Sequence, residues 1–303
     1  MSITQFMGQP HAYANAHTLY PYADKVVRDD HMKKLSLSTG GDFTEIRGEN
    51  KVAFCDIQPC SAVNPLPHDL MRAMTYTQDK DLEVLRVTYG RPNPSAVATY
   101  FLPWRENYMM RIKLKPSPHH ARQGQGVVLD PDLFVTAALQ GCSVIVTGEP
   151  AQPVVYHLNA QQVKGPGGET FGGDDTAFIA AAQAKVGHMQ TMFGQAQTEF
   201  PKAGAKVGTV RQAPAQAVTQ GAVVTDYMIG AKPGPNAALA SFYKQQLGVK
   251  SLSVEQYGTV FGIRSGGTWK FYRQTRTRLS YTDPKTRQSV NQWVNPVCSR
   301  FWP

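Results

Sequence analysis

Apolar positions along the chain come mostly in short runs, and helical spacing is sustained only in its later half. Strand-like runs occur at Val52–Cys55, Leu82–Tyr89, Ala96–Leu102 and Tyr108–Leu114. They are rich in β-branched and aromatic residues, and part of the last alternates, the period of a half-buried strand. Pro67–Thr75 sets Leu70, Met71 and Met74 at helical spacing behind a proline suited to a first turn. The longest helical stripe runs over Asp175–Phe193, through Phe178, Ile179, Ala182, Val186, Met189 and Phe193. Asp174 or Asp175 can cap it and Gly194 can close it. A second capped helix starts at Asn236, buries Leu239, Phe242, Tyr243 and Leu247, and stops at Gly248. A short strand is expected at Ala222–Ile229. The tail is β: Val260–Arg264 and Thr268–Arg273 flank a Ser265-Gly266-Gly267 turn, and Gln274–Tyr281 continues the second strand. Residues 1–40 are polar with scattered tyrosines and no period, and read as a lead segment, partly mobile or draped on the domain. Residues 41–303 read as a single domain. Many short strands with few helices predict an α+β fold, a mixed or antiparallel sheet core with helices packed outside.

The stretch Phe134–Ala160 carries the most chemical information. Ser143–Thr147 and Val154–Leu158 flank the polar Gly148–Pro153, the pattern of a hairpin. Cys142 opens the first strand and His157 lies near the end of the second. A turn centred between Glu149 and Pro150 sets the two directly opposite each other. A turn one residue later makes them diagonal neighbours. The side-chain period is two, so both registers put thiol and imidazole on one face.

Composition narrows the alternatives. With 42% hydrophobic and 17% charged residues the chain is globular, and no run approaches the length of a membrane span. The opening MSITQFMGQPHAYANAH lacks a basic stretch followed by an apolar one, so no Sec signal peptide is expected. Four cysteines are too few for a disulfide scaffold, and no zinc-ligand spacing follows Cys55 and Cys60. Cys55, Cys60 and Cys298 read as buried reduced thiols. The net charge of +9 is concentrated late: residues 202–303 hold 14 Lys and Arg against Asp226, Glu255 and Asp283. That face suits an acidic partner or plain solvation. The aromatics interleaved with Arg273, Arg276 and Arg278 fit a strand with inward rings and outward cations better than a nucleic-acid surface. Gly165–Asp175 is glycine-rich but acidic, which argues against a phosphate cradle and for a flap or flexible connection. His119-His120, in the loop Pro116–Gly126, reads as polar surface, and His188 as packed or surface. No metal or cofactor is expected.

A thiol with an imidazole in reach is a nucleophile with its base, competent for acyl transfer from an amide or ester. Backbone N–H groups around Cys142 can receive the oxyanion, since Gly141 lets another chain approach. Spacing alone favours a packed core pair. The segment Leu139-Gln140-Gly141-Cys142, with a histidine fifteen residues after the cysteine in Val154-Val155-Tyr156-His157, resembles the glutamine deamidase domain of the cytotoxic necrotizing factors. Those toxins carry Leu-Ser-Gly-Cys and a His at the same spacing; Gln140 stands where they have Ser. The tail GTVFGIRSGGTWKFYRQ is similar in kind to their closing hairpin. The same Cys–His core occurs in the Burkholderia lethal factor and the chemotaxis receptor deamidases, where a Thr six residues before the Cys orients the His through its backbone carbonyl. Thr136 occupies that offset. In the necrotizing factors the corresponding carbonyl lies much further upstream.

The resemblance implies a β-sheet sandwich core with surrounding helices, of the deamidase-toxin type, with Cys142, His157 and Thr136 as catalytic residues. It implies hydrolysis of a protein glutamine amide without metal or cofactor, by a monomeric toxin or effector that is secreted without a Sec signal and acts in the host cytosol. The implied substrate is a host protein, a Rho-family GTPase or a translation helicase. Transglutaminase or cysteine protease chemistry uses the same pair. A non-enzymatic basic binding module built on residues 261–303 is the reading of a different class.

Overall fold

The computed structural model describes residues 2–25, 27, 35–37, 43–46, 52–59, 82–104, 109–114, 119–120, 128–139, 142–159, 167, 184, 187–188, 191 and 237–303. The chain opens with two short helices, α1 (Ile3–Gly8) and α2 (Pro10–Ala16), then β1 (Thr18–Ala23). Ser2 caps α1 and Pro10 starts α2, where its missing N–H is harmless. Next come β2 (Leu35–Leu37), β3 (Phe43–Ile46), β4 (Val52–Pro59), β5 (Leu82–Thr88), β6 (Val97–Leu102) and β7 (Met109–Lys113). β8 (His119–His120) and β9 (Val128–Leu129) form a small ladder of their own, in place of part of the expected 116–126 loop. β10 (Leu133–Thr136), β11 (Cys142–Thr147) and β12 (Val154–Asn159) follow. The tail is α3 (Ala237–Leu247), β13 (Leu252–Ser265), β14 (Thr268–Thr282) and β15 (Ser289–Trp302). The helix expected at Pro67–Thr75, the strand at Ala222–Ile229, Cys60, and nearly all of Gly165–Asp175 and Asp175–Phe193 lie outside the described residues.

The fold is α+β. One mixed sheet has eight strands in the order β1-β5-β4-β6-β10-β13-β14-β15, and a second has five, β11-β12-β7-β3-β2. Alternation along the strands of the large sheet feeds two clusters. Tyr100, Leu102, Phe134, Val260, Trp269 and Phe271 pack with Met110, Ile112, Val144 and Val146 of the smaller sheet. Their odd-phase neighbours Phe101, Leu133, Val135 and Phe261 pack instead with Ile3, Phe6 and Tyr13 of the N-terminal helices. The described residues of the opening segment therefore pack into the core, the docked one of the two forms expected for the lead segment. Its helices span less than two turns each, too short for periodicity to reveal. Among the described residues no helix is long and apolar enough to cross a membrane.

Two local features depart from expectation in the tail. Phe242, expected on the buried side of α3, is 50% exposed, while Tyr243 is buried. Arg276, expected to point outward, is fully buried. The register of β14 against β15 shifts between Thr275 and Thr277, where Thr275 faces Val297 but Thr277 faces Val294. The extra residue of this bulge lies on β15; Arg276 keeps the side of β14 that it shares with buried Gln274, which the N-terminal segment covers. Pro296, which lacks an N–H, sits at the same irregularity of the edge strand.

The turn between β13 and β14 is as expected: Gly266 and Gly267 both take positive φ, the requirement of a two-residue hairpin loop. Gly262 has a different role. A Cβ there would come within 2.9 Å of the Phe271 ring directly across the ladder. Gly262→Ala must displace a ring at the centre of the inter-sheet core, and a loss of about 1–3 kcal/mol is expected from the urea midpoint.

Candidate active site

The chain crosses between the sheets just before Cys142. Leu139 exchanges both backbone hydrogen bonds with Gly258 of β13, at 2.8 and 3.0 Å, which fixes the departure point. The β11–β12 loop is tied at both ends. The Pro150 carbonyl accepts from the Trp269 N–H at 2.8 Å, and the Pro153 carbonyl from the Leu114 N–H at 2.9 Å. Gly148 turns the chain at φ +87, where a side chain would be strained.

The hairpin takes the later of its two expected registers. Cys142 faces Asn159, Ser143 faces Leu158, and Val144 faces His157. Cross-strand partners share a face and the period is two, so Cys142, Val144, His157 and Asn159 all lie on one side of the sheet. Cys142 and His157 are diagonal neighbours there, roughly 7–8 Å apart, and no hydrogen bond of full geometry joins either ring nitrogen of His157 to the sulfur. Directly opposite Cys142, Asn159 donates from Nδ2 to the sulfur at 3.0 Å.

His157 is flanked on its own face by Val144 on one strand and Met110 on the other. Complete burial pulls its pKa down to about 3, because the interior disfavours imidazolium. The Leu102 carbonyl opposes this by favouring the protonated ring, short of a hydrogen bond of full geometry. The folded pKa lies below the ordinary value of 6.5, so the unfolded chain binds the extra proton between those limits. Stability from this group is complete above pH 6.5 and is lost as pH falls through 3, on the order of 5 kcal/mol in total. Urea midpoints measured from pH 7 to about 4 are expected to fall more steeply for the wild type than for His157→Gln.

Thr136 lies on β10 in the other sheet, on the same face as Phe134. It is fully buried, and its hydroxyl donates to the Ala137 carbonyl at 2.8 Å and, more weakly, to that of Val260 at 3.5 Å. No hydrogen bond joins it to His157 among the described contacts. The backbone group acting on the ring belongs to Leu102, the residue paired with Thr136 across β6 and β10. That carbonyl also accepts from the Ala137 N–H at 3.0 Å. Neither Leu102 nor Asn159 was among the expected site residues. Asn159 had a signal, since the later register sets residue 159 opposite Cys142. A backbone carbonyl from another sheet has none in the sequence.

The other described thiols lie in different surroundings. Cys55 and Cys298 are buried on the N-terminal-helix side of the large sheet. Burial pushes the Cys55 thiol up, with Asp56 adding to it, and pushes Cys298 up to about 12. Both are inert at neutral pH. Peptide-mapped iodoacetamide labelling of the native protein is expected to modify Cys142 faster than Cys55 or Cys298. Equal protection of all three would indicate a packed core cysteine.

Of the remaining candidates, His188 is exposed, and no group of three potential metal ligands gathers among the described residues. Arg276, one of three arginines that would make the tail a binding face, is unavailable: it is buried against Tyr20, Tyr257 and Trp293, with ring centres 5.0–5.7 Å from its guanidinium carbon. No family model matches the chain, and no curated protein matches it.

Proposed function

We propose that the protein is a cysteine-dependent protein-glutamine deamidase, a bacterial toxin or effector acting on a host protein such as a Rho-family GTPase or a translation helicase. The supporting observation is the hairpin register, which sets a thiol and an imidazole on one face while a side-chain amide donates to the sulfur. A carbonyl at the imidazole, from a residue forty positions before Cys142, supports the same reading. Its position far upstream is the one the resemblance to the necrotizing factors implies for the group that orients the histidine.

In the reaction, the Cys142 S–H proton passes to a ring nitrogen of His157 as sulfur attacks the glutamine Cδ. The carbonyl oxygen takes the negative charge in the tetrahedral intermediate. Its collapse breaks the C–N bond, and ammonia leaves with the proton from His157. A water, deprotonated by the same imidazole, then attacks the thioester carbon. Glutamate and the free thiol result. Cys142 and His157 are both buried, so the site must open before a glutamine side chain can enter.

Incubating a purified Rho-family GTPase or translation helicase with the protein and reading its intact mass separates the outcomes. An amide-to-acid change with ammonia release supports deamidation. An amine adduct identifies a transglutaminase, and cleavage a protease.

A further inference from the structure

Asn159 ends β12 opposite Cys142, and both side chains are almost wholly buried. A carboxamide in that position is costly unless its polar atoms are bonded, yet here an N–H points at sulfur, a weak acceptor while it carries its proton. The contact becomes strong only when sulfur is a thiolate, because hydrogen bonds to an ionised acceptor are shorter and about twice as strong. His157 gives little help in the resting state, since its apolar cage of Val144 and Met110 holds the ring neutral. Stabilisation of the anion therefore has to come from donors at the sulfur itself.

We infer that Asn159 is a catalytic residue whose Nδ2–H holds the Cys142 sulfur in its ionised form. The inference rests on the proposed role of Cys142 as nucleophile. When the S–H bond breaks, its electron pair stays on sulfur within the Asn159 hydrogen bond and its proton goes to the His157 ring. When the S–C bond forms, the charge moves on to the substrate oxygen and the Asn159 contact weakens. Asn159 thus acts on how much thiolate is present, and its effect is largest at pH values where an unaided thiol stays protonated.

The test is a pH titration of ultraviolet thiolate absorbance, each protein read against its own Cys142→Ser counterpart so that the other thiols cancel. Asn159→Leu keeps the size and removes the donor; Asn159→Ala serves if the leucine variant does not fold, and both are checked by urea unfolding. The Cys142 midpoint is expected to rise by about one to two pH units. Amide hydrolysis at neutral pH is expected to fall about 10- to 100-fold, with the deficit shrinking as pH rises. A merely structural asparagine would lower the rate equally at every pH. An unmoved thiolate midpoint in a folded variant overturns the assignment. The titration does not depend on turnover. A shifted midpoint without turnover on any target keeps the Asn159 donor and rejects the deamidase. Turnover that dies with Cys142→Ser but an unmoved midpoint does the reverse.

Discussion

Cys142→Ser is expected to reduce glutamine deamidation by at least about 10³-fold while leaving the urea midpoint within about 1 kcal/mol of wild type. Serine is nearly isosteric, and its Oγ can still accept from Asn159 Nδ2, so packing and the buried polar contact both survive. Nucleophilicity does not survive. A hydroxyl beside a neutral, fully buried imidazole ionises far less than a thiol, and the neighbouring base is poorly disposed to carry a charge. His157→Gln is expected to abolish turnover as well, since no general base remains. Initial rates and unfolding curves on the same preparations check both. Retained turnover in Cys142→Ser, or lost folding in place of lost rate, would assign Cys142 to the core and not to chemistry.

Arg276→Ala is expected to cost about 3 kcal/mol or more of stability, the largest effect of any substitution remote from the proposed site. The reason lies in how the large sheet ends. The free side of β1 is met by side chains from strands at the far end of the strand order. The Leu19 N–H donates to Gln274 Oε1 at 2.9 Å, and the Leu19 carbonyl accepts from Thr259 Oγ1 at 3.1 Å and from the Arg276 guanidinium. Gln274 Nε2 reaches the His17 carbonyl at 2.7 Å and also that of Ala14. Arg276 further donates to Thr259 Oγ1 at 2.6 Å. Truncation to alanine removes the two Arg276 bonds, to the Leu19 carbonyl and to Thr259, and opens a void among three aromatic rings. Arg276→Met should lose less. It fills most of that void, and it removes a guanidinium whose pKa desolvation has lowered to about 10, a burial cost on the order of 3 kcal/mol. Urea unfolding of the two variants gives the comparison; a methionine variant weaker than alanine would show that the hydrogen bonds outweigh both packing and desolvation.

Some strands of the two sheets were legible because their apolar residues are short-range signals, while β1, β2, β10 and β15 were not expected. Leu82–Thr88 and Val97–Leu102 lie within a residue of where β-branched and aromatic runs put them. The same holds for the Gly266-Gly267 turn, whose backbone requirement is written in the two residues themselves. Long-range arrangements were less legible. Arg276 is buried because the segment around Leu19 covers the side of β14 that it shares with Gln274, which the sequence of β14 alone does not show. Strand β15 contains a proline that argues against a central strand, and it is indeed an edge. The helices α1 and α2 are shorter than the stretch over which a helical stripe becomes recognisable, although Ile3 and Phe6 stand at helical spacing and Ser2 and Pro10 mark their starts.

The candidate site divides the same way. The hairpin put Cys142 and His157 on one face under either register, because the period of a strand is two. Which residue stands opposite the thiol depended on a one-residue shift of the turn centre. That shift is set by the tethers of Pro150 to Trp269 and of Pro153 to Leu114, contacts with distant strands. Asn159 therefore emerged only with the register, and the Leu102 carbonyl only with the packing of one sheet on the other.

Deamidation at Cys142 is tested most directly by mass spectrometry of a host-cell lysate incubated in heavy-oxygen water with the wild-type protein and, in parallel, with Cys142→Ser. The predicted result is a host-protein glutamine converted to glutamate carrying one heavy oxygen in its side chain, with the wild type alone. Indistinguishable glutamine and glutamate profiles from the two incubations would contradict it.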